Sequence, residues 1–253
     1  MLSNNKIKYL RSLDKKKFRL IENKIILDGL RLIKEGLNQK INFESIWINE
    51  AIENTSTIID LTKILKQKNI SYFFESEKNI QAVSNTKNSQ GVIGLIFTDK
   101  LYNEDLNMFK DNIVVLDQIS DPGNLGTIIR TCAWFGIDSI LLTKNSGDIF
   151  NSKCVRSAVG GHFYIKNSKY VSPSEILSYL KENDYEIYCA DLDGDSINNI
   201  KTKKKWALVL GSEAHGLDKE FQSELKITIP NYGKIESLNV SIASGIILNQ
   251  LCS

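Results

Sequence analysis

The sequence predicts an α/β protein with two domains, the second built on a mostly parallel sheet with helices on both faces. Three observations lead to this prediction. The chain has 253 residues, which is long for one compact core. Its second half alternates short apolar segments with helical patterns, as chains that form parallel sheets do. Its charge is uneven, because residues 1–100 hold 17 basic and 11 acidic side chains and residues 101–253 hold 15 and 19.

The first domain is predicted over residues 1–108 as the smaller α/β domain, ending in a polar linker. Residues 91–97, GVIGLIF, are apolar enough for a buried strand. The other elements follow from helical and strand-like periodicity. Helices are predicted at residues 25–37 and 57–68, further strands at 43–48 and 70–74, and the linker at 102–112.

The second domain is predicted over residues 109–253. Its apolar segments, such as NIVVLD at 112–117, are typical of buried strands, and helical patterns separate them. In such sheets, ligands bind beyond the carboxyl ends of the strands. Strands are predicted at 112–117, 139–143, 185–191, 206–211 and 226–230, and helices at 152–159, 173–181 and 237–251.

Residues 121–136, DPGNLGTIIRTCAWFG, are predicted as a turn that leads into a helix. Asn124 suits the N-cap and Gly136 suits the C-terminal stop. At about 100° per residue, Arg130 lies opposite the apolar side, on a face that includes Trp134. The alternative is an ordinary solvated arginine on a surface helix, and this helix alone does not separate the two interpretations.

The last predicted helix, residues 237–251, is apolar around most of its circumference. A helix of this kind is buried by its own core or by a partner subunit. Because an exposed C-terminal helix would have a polar face, the pattern predicts a dimer interface.

Loops rich in Gly, Asn, Ser or Glu follow three of the predicted strands, at residues 121–126, 211–217 and 230–241. Three such loops in one sheet predict a single pocket lined by all of them. The sequence has no GxGxxG, which disfavours a nucleotide-binding oxidoreductase. DLDGDS at 191–196 resembles a calcium loop but lacks its bidentate Glu, so we expect a turn there. Four widely spaced cysteines and two histidines predict no metal site.

The start of the chain has no apolar signal core, and no apolar run approaches the roughly 20 residues of a membrane span. With the widely spaced cysteines, these features predict a cytoplasmic protein with reduced thiols. Residues 1–40 carry 11 basic and four acidic side chains. They predict a polyanionic partner, with a solvated basic surface as the alternative. A second basic run, residues 201–205, is predicted as a loop before a strand.

Three motifs resemble, in order, those of the SpoU/TrmH family of RNA ribose 2′-O-methyltransferases. They are NLGTIIRTCAWFG (124–136), LVLGSEAHGL (208–217) and IPNYGKIESLNVSIASGIIL (229–248). The basic first domain is similar to the substrate-binding domain, like ribosomal protein L30e, that many members carry. The resemblance implies S-adenosylmethionine as cofactor, a trefoil knot in the second domain and a homodimer. It also implies methylation of a ribose 2′-hydroxyl in structured RNA, with ribosomal RNA favoured over transfer RNA.

The resemblance also assigns site residues, each by its match to a family motif. The catalytic centre is expected to contain Asn124, Arg130, Glu213, Ser237 and Asn239. The positions that border the cofactor are Gly211, Ile229 and Leu238. The basic side chains expected to contact RNA are Lys15, Lys16, Lys17, Arg31 and Arg156.

Arg130 matches the arginine to which the family often assigns the role of general base. A guanidinium is effectively never deprotonated in proteins, so we expect Arg130 to act through its fixed positive charge. It would hold a phosphate and favour the developing oxyanion. His215 stands where many members have a Gly-containing pair, and we expect it at the rim. The alternative function is a non-catalytic RNA-binding protein that keeps the fold, against which the intact motif residues argue.

Overall fold

A computed structural model describes residues 2–86, 89–202 and 205–253. Lys203 and Lys204 of the second basic run therefore lie outside the described residues. In chain order within the described residues, the helices are α1 (Asn4–Ser12), α2 (Lys16–Glu22), α3 (Leu30–Asn38), α4 (Ser56–Gln67), α5 (Glu77–Val83), α6 (Pro122–Trp134), α7 (Ser152–Ala158), α8 (Pro173–Glu182) and α9 (Val240–Leu251). The strands are β1 (Lys24–Asp28), β2 (Phe43–Asn49), β3 (Tyr72–Glu75), β4 (Val92–Phe97), β5 (Ile113–Leu116), β6 (Ser139–Thr143), β7 (Asn167–Val171), β8 (Glu186–Ser196), β9 (Trp206–Leu210) and β10 (Leu225–Thr228).

The chain divides into two compact units. Unit 1 comprises Met1–Leu101 and Phe150–Phe163, and unit 2 comprises Tyr102–Ile149 and Tyr164–Ser253. This division differs from the expected boundary at residues 108 and 109, which left the Phe150–Phe163 segment in the second domain. The segment folds with unit 1 because its apolar side chains are buried in the core of that unit, among them Val155.

Unit 1 is built on a four-stranded mixed sheet in the order β1-β4-β2-β3. Strand β4 is antiparallel to both of its neighbours, and β2 and β3 are parallel. The predicted helix at residues 25–37 is wrong in its first part, where the chain forms β1. Alternate residues Ile25 and Leu27 are buried there, and Gly29 then turns the chain at a φ of +122°. Helix α3 begins after this glycine, whose backbone conformation other residues rarely adopt.

Unit 2 contains a six-stranded sheet in the order β10-β8-β9-β5-β6-β7, and every neighbouring pair in it is parallel. Helices flank the sheet, and α6 packs against α9. On another part of the unit, Ile176 and Leu180 of α8 share an apolar core with Ile113 and Val115 of β5. The fold class predicted from the sequence is confirmed. The trefoil knot stays a prediction of the family resemblance.

Two parts of this sheet differ from the sequence prediction. Strand β7 has the polar sequence NSKYV and gave no strand signal; its buried Asn167 donates from Nδ2 to Ser139 Oγ at 2.9 Å. The turn predicted at residues 191–196 is wrong, because β8 continues to Ser196. Its end pairs with β10 through Asp195 and Ser196 after a shift in register, which polarity alone does not reveal.

Helix α6 begins one turn earlier than predicted. Asp121 is the N-cap, because its Oδ1 accepts the backbone N–H groups of Gly123 at 2.7 Å and Asn124 at 2.9 Å. The N-cap assignment of Asn124 was therefore wrong. The predicted stop at Gly136 is confirmed: its φ is +73°, and Ile137 N donates to the Cys132 carbonyl at 2.9 Å, closing the last turn.

Helix α9 begins at Val240, with Asn239 as its N-cap, rather than at Ser237. Its buried side includes Ile247 and Leu248, which are almost completely inaccessible. None of the helices formed by the described residues is both long enough and apolar enough to cross a membrane.

Candidate active site

A cleft of about 440 Å³ opens in unit 2 where strands β9 and β10 end, beside residues 190–192 of β8. The segment 211–217, called the β9 loop here, forms one wall, and residues 229–238 form another. The three residues predicted to border a cofactor all line the cleft, namely Gly211, Ile229 and Leu238. Of the three loops expected to line one pocket, those at 211–217 and 230–241 line this cleft, whereas no residue of the loop at 121–126 does.

The β9 loop is closed by its own backbone. Ser212 and Gly216 exchange two hydrogen bonds, from Ser212 N at 3.0 Å and from Gly216 N at 2.8 Å. A Cβ at Gly211 would lie 2.7 Å from the Gly216 carbonyl oxygen and 3.0 Å from Leu217 N. Glycine is therefore required at position 211 by the loop itself, in addition to any close approach of a ligand.

Three of the predicted catalytic residues form one polar cluster. Glu213 Oε1 accepts hydrogen bonds from Asn239 Nδ2 at 2.9 Å, from Val240 N at 2.9 Å and from Asn124 Nδ2 at 3.3 Å. Asn239 Nδ2 also donates to Asn124 Oδ1 at 2.9 Å. The cluster contains one residue from each of the three motifs and joins α6, the β9 loop and the start of α9. Glu213 also lines the cleft.

Asn239 is held in one orientation because both ends of its side-chain amide are engaged. Its Oδ1 caps α9 by accepting Ser241 N at 3.0 Å and also accepts Ser241 Oγ at 2.5 Å. Its Nδ2 donates within the cluster, so the opposite rotamer would place an N–H group against Ser241 N. This arrangement fixes the cluster from the side of α9.

Arg130 lies on the exposed side of α6, as its position in the helical pattern predicts. The opposite side is buried and includes Leu125 and Ile129. The Arg130 side chain makes no hydrogen bond or ion pair with any residue that the structure describes, so its guanidinium remains available to a ligand. One turn further along, Trp134 is 85% exposed.

Ser237 and His215 do not join the polar cluster. Ser237 lines the cleft on its exposed loop. His215 is exposed in the β9 loop, in agreement with a place at the rim. The sequence interpretation missed Asp121, although an acidic residue directly before a proline at the first helical position is a recognisable N-cap signal.

The five basic residues expected to contact RNA all lie in unit 1. Lys15, Lys16 and Lys17 are exposed at the start of α2, and Arg31 is exposed on α3. Arg156 is half-buried on α7, the helix that joins unit 1 from the later part of the chain.

Comparison with known proteins identifies the family. Residues 111–249 match the model described as the SpoU rRNA Methylase family. This chain belongs to that family. Residues 4–94 of this SpoU family protein also match a model described as the MRM3-like substrate binding domain. Together, the two matches confirm the resemblance that the three motifs and the first domain indicated.

Relatives of this SpoU family protein match it over three quarters of its length or more. The 23S rRNA (guanosine(2553)-2′-O)-methyltransferase RlmP of Bacillus subtilis is 29% identical, over 98% of this chain and 96% of its own. A protein of Borreliella burgdorferi named as a tRNA/rRNA methyltransferase is 34% identical, over 76% of this chain and 83% of its own. The solved structure of an AdoMet-bound rRNA methyltransferase from Sinorhizobium meliloti aligns with a TM-score of 0.85 at 25% identity, covering 99% of this chain and 95% of that one.

Proposed function

We propose that this SpoU family protein transfers a methyl group from S-adenosylmethionine to a ribose 2′-hydroxyl in structured RNA, with ribosomal RNA favoured over transfer RNA. The observation that carries the proposal is the polar cluster of Asn124, Glu213 and Asn239, set beside a cleft at the strand ends. Its relatives in B. subtilis and S. meliloti support the same reaction and cofactor.

The cleft is chemically suited to S-adenosylmethionine. Its volume of about 440 Å³ lies within the range of small-molecule sites. The acidic residues Glu213 and Glu236 line it, and no basic residue does so among the described residues. Asp191 lines it too, but its carboxylate is paired with Lys226 Nζ at 2.9 Å. A positively charged sulfonium is favoured in such surroundings, while Ile229 and Leu238 offer apolar contact.

S-adenosylmethionine supplies an electrophilic methyl group when bound. The protein must then place the ribose hydroxyl in line with that methyl group, with reacting atoms about 3–3.5 Å apart. We assign this placement to the polar cluster and to Arg130. The Arg130 guanidinium would hold the adjacent phosphate and favour the oxyanion that develops as the hydroxyl loses its proton. The proton would leave to phosphate or water, because a guanidinium does not accept it.

Unit 1 is assigned the recruitment of RNA, since its exposed lysines offer phosphate contacts. We expect Lys15→Glu combined with Lys17→Glu to weaken RNA binding and to flatten its salt dependence. The matched control is Lys66→Glu with Lys68→Glu, an equal charge change at exposed lysines in the last turn of α4 and at its C-cap. Equal losses in the two double variants would count against a specific role for the start of α2. Charge reversal in the full chain is preferable to a fragment starting at residue 109, which would carry Val155 without the unit 1 core around it.

A homodimer belongs to the same proposal. Helix α9 leaves Ile242 at 55% and Ile246 at 39% exposure in the single chain, although its other face is buried. A second copy of the chain would cover these side chains. A cytoplasmic location is also proposed, because the widely spaced cysteines are typical of reduced thiols.

The test of the proposed function combines calorimetry with methylation. The protein should bind S-adenosylmethionine and methylate ribose in ribosomal RNA from a strain that lacks the gene, with transfer RNA from that strain as the comparison. Mapping 2′-O-methylation in both RNAs identifies the target. RNA binding without cofactor binding would support the alternative of a non-catalytic RNA-binding protein and would contradict the proposal.

A further inference from the structure

Asp117 has a buried carboxylate that is not among the residues assigned to cofactor binding, catalysis or RNA binding. It directly follows β5, near the middle of the unit 2 sheet, and it has no exposed surface. Burying a carboxylate is costly unless it is paired and hydrogen-bonded. A buried ionisable group close to a ligand cleft is therefore a candidate for a functional role, and its hydrogen bonds indicate which role.

Asp117 contacts the residues on either side of the β9 loop. Its backbone N–H donates to the carbonyl of Leu210, the last residue before the loop, at 2.9 Å. Its Oδ2 accepts the backbone N–H of Asp218, the first residue after the loop, at 2.6 Å. Asp117 thus forms hydrogen bonds with the residues on both sides of the β9 loop, which contains Gly211 and Glu213.

The backbone around Asp117 is also fixed from the side of β6. Gln118 adopts a left-handed conformation, with a φ of +57°, and its N–H donates to Thr143 Oγ1 at 2.9 Å. Ser146 Oγ donates to the Leu116 carbonyl at 2.8 Å. Four residues after Asp117 the chain reaches Asp121, the N-cap of α6. Asp117 therefore links the β9 loop to the start of the helix that carries Asn124.

The second oxygen, Asp117 Oδ1, has no hydrogen-bond partner among the residues that the structure describes. Burial raises the pKa of this carboxyl. The hydrogen bond from Asp218 N and the interactions with Thr143 and Gln118 act to lower it, and the nearby Asp218 carboxylate adds to the increase. The pKa stays above its ordinary value, so these interactions do not fully offset the burial of the carboxylate. Its arrangement is explained by the position that Oδ2 imposes on Asp218.

We propose that Asp117 is a positioning residue for methyl transfer, which sets the β9 loop, and with it the cofactor cleft and Glu213, relative to the start of α6. The inference rests on the proposed function, because the consequence of moving the loop is read through cofactor binding and methylation. It requires no contact between Asp117 and either substrate.

The sharpest test removes the donor and leaves Asp117 in place. Asp218→Pro deletes the N–H that Asp117 accepts, and the φ of −58° at Asp218 suits proline. Both Asp218→Pro and the control Asp218→Ala remove the side-chain cap on Glu220 N, but only the proline variant removes the N–H. We expect Asp218→Pro to bind S-adenosylmethionine at least about tenfold more weakly than Asp218→Ala, as for the loss of a hydrogen bond to a charged group. Equal affinities in the two variants would overturn the proposal.

A second test changes Asp117 itself and does not depend on activity. Asp117→Ala should increase hydrogen exchange across residues 211–218 in the cofactor-free protein, whereas Asp117→Asn, which keeps an oxygen acceptor, should restore slow exchange and cofactor affinity. A purely structural role predicts a lower melting temperature with unchanged loop exchange and affinity in the folded protein, and that result would overturn the proposal. If the wild type fails to bind S-adenosylmethionine while loop exchange responds as expected, the proposed function fails and the positioning of the loop stands.

Discussion

The side-chain amide of Asn239 donates to Glu213 Oε1 and to Asn124 Oδ1, both at 2.9 Å. These three residues are separated by up to 115 positions along the chain. One amide group therefore holds the N-terminal end of α9 against both the β9 loop and the first turn of α6. The geometry of the proposed catalytic centre depends on this shared contact.

Removing the Glu213 carboxylate should disconnect the cluster. In Glu213→Ala, Val240 N and the two asparagine amides lose a charged acceptor, so the β9 loop is no longer held to α6 and α9. The hydrogen bond from Asn239 Nδ2 to Asn124 Oδ1 would still link the two helices. We expect a roughly 10- to 100-fold lower single-turnover rate, because hydrogen bonds to charged groups are the stronger ones. Glu213→Gln keeps one acceptor oxygen and should retain part of the rate. Full activity in the alanine variant would contradict the role of the cluster.

Gly211→Ala should weaken cofactor binding by displacing the β9 loop, because its Cβ would lie 2.7 Å from the Gly216 carbonyl oxygen. Small displacements at a catalytic centre can reduce rates by about 100-fold. Gly245→Ala in α9 is the matched control, since its nearest contact would be an ordinary 3.9 Å from Thr131 Cγ2. Calorimetry with S-adenosylmethionine compares the two, and equal affinities would show that the loop accommodates a Cβ.

Arg130→Ala should leave the fold and cofactor affinity nearly unchanged, because the side chain is exposed and has no partner within the described part of the chain. Methylation should fall by about 10²–10³, the usual effect of losing one preorganised charge contact. Arg130→Lys keeps the charge but loses the bidentate fork, so partial activity is expected. A new dependence on pH in the lysine variant would instead support a base at this position. Rates like the wild type in Arg130→Ala would identify a solvated surface residue.

Ile246→Asp tests the proposed homodimer. In a dimer interface the new carboxylate would be buried without a partner, at a cost of several kcal/mol. Sedimentation at micromolar concentration should then show monomers or aggregates in place of dimers. Ile59→Asp provides the control, since Ile59 on α4 of unit 1 is similarly exposed at 43%. A wild type that sediments as a monomer would refute the dimer without any variant.

The architecture of unit 2 was largely predictable because apolar strands and amphipathic helices carry strong periodic signals. Local chemistry was harder to assign. Asn124 and Asp121 are both good N-cap residues, and only the hydrogen bonds to Gly123 and Asn124 select Asp121. Strand β7 escaped prediction because its buried Asn167 is satisfied by Ser139, a contact that spans 28 positions.

The residues of the candidate site were predicted from the sequence, but the hydrogen bonds between them were not. The motif resemblance grouped Asn124, Glu213 and Asn239, but the direction of each hydrogen bond depends on three segments meeting in space. Asp117 carried no signal, because a single acidic residue after an apolar strand is common and its burial is decided by the neighbouring loop. The periodicity of one sequence does not reveal how segments that are distant along the chain pack against each other.

The placement of Phe150–Phe163 in unit 1 has a consequence for biosynthesis. The two segments of unit 1 are synthesised at different times. Val155 and Phe163, which belong to its apolar core, are made only after β5 and β6 of unit 2. During synthesis the apolar core of unit 1 therefore stays incomplete until residue 163 has been made, although N-terminal domains generally fold first. A truncation at one point of the chain therefore does not yield unit 1 complete, because part of unit 2 lies between its two segments.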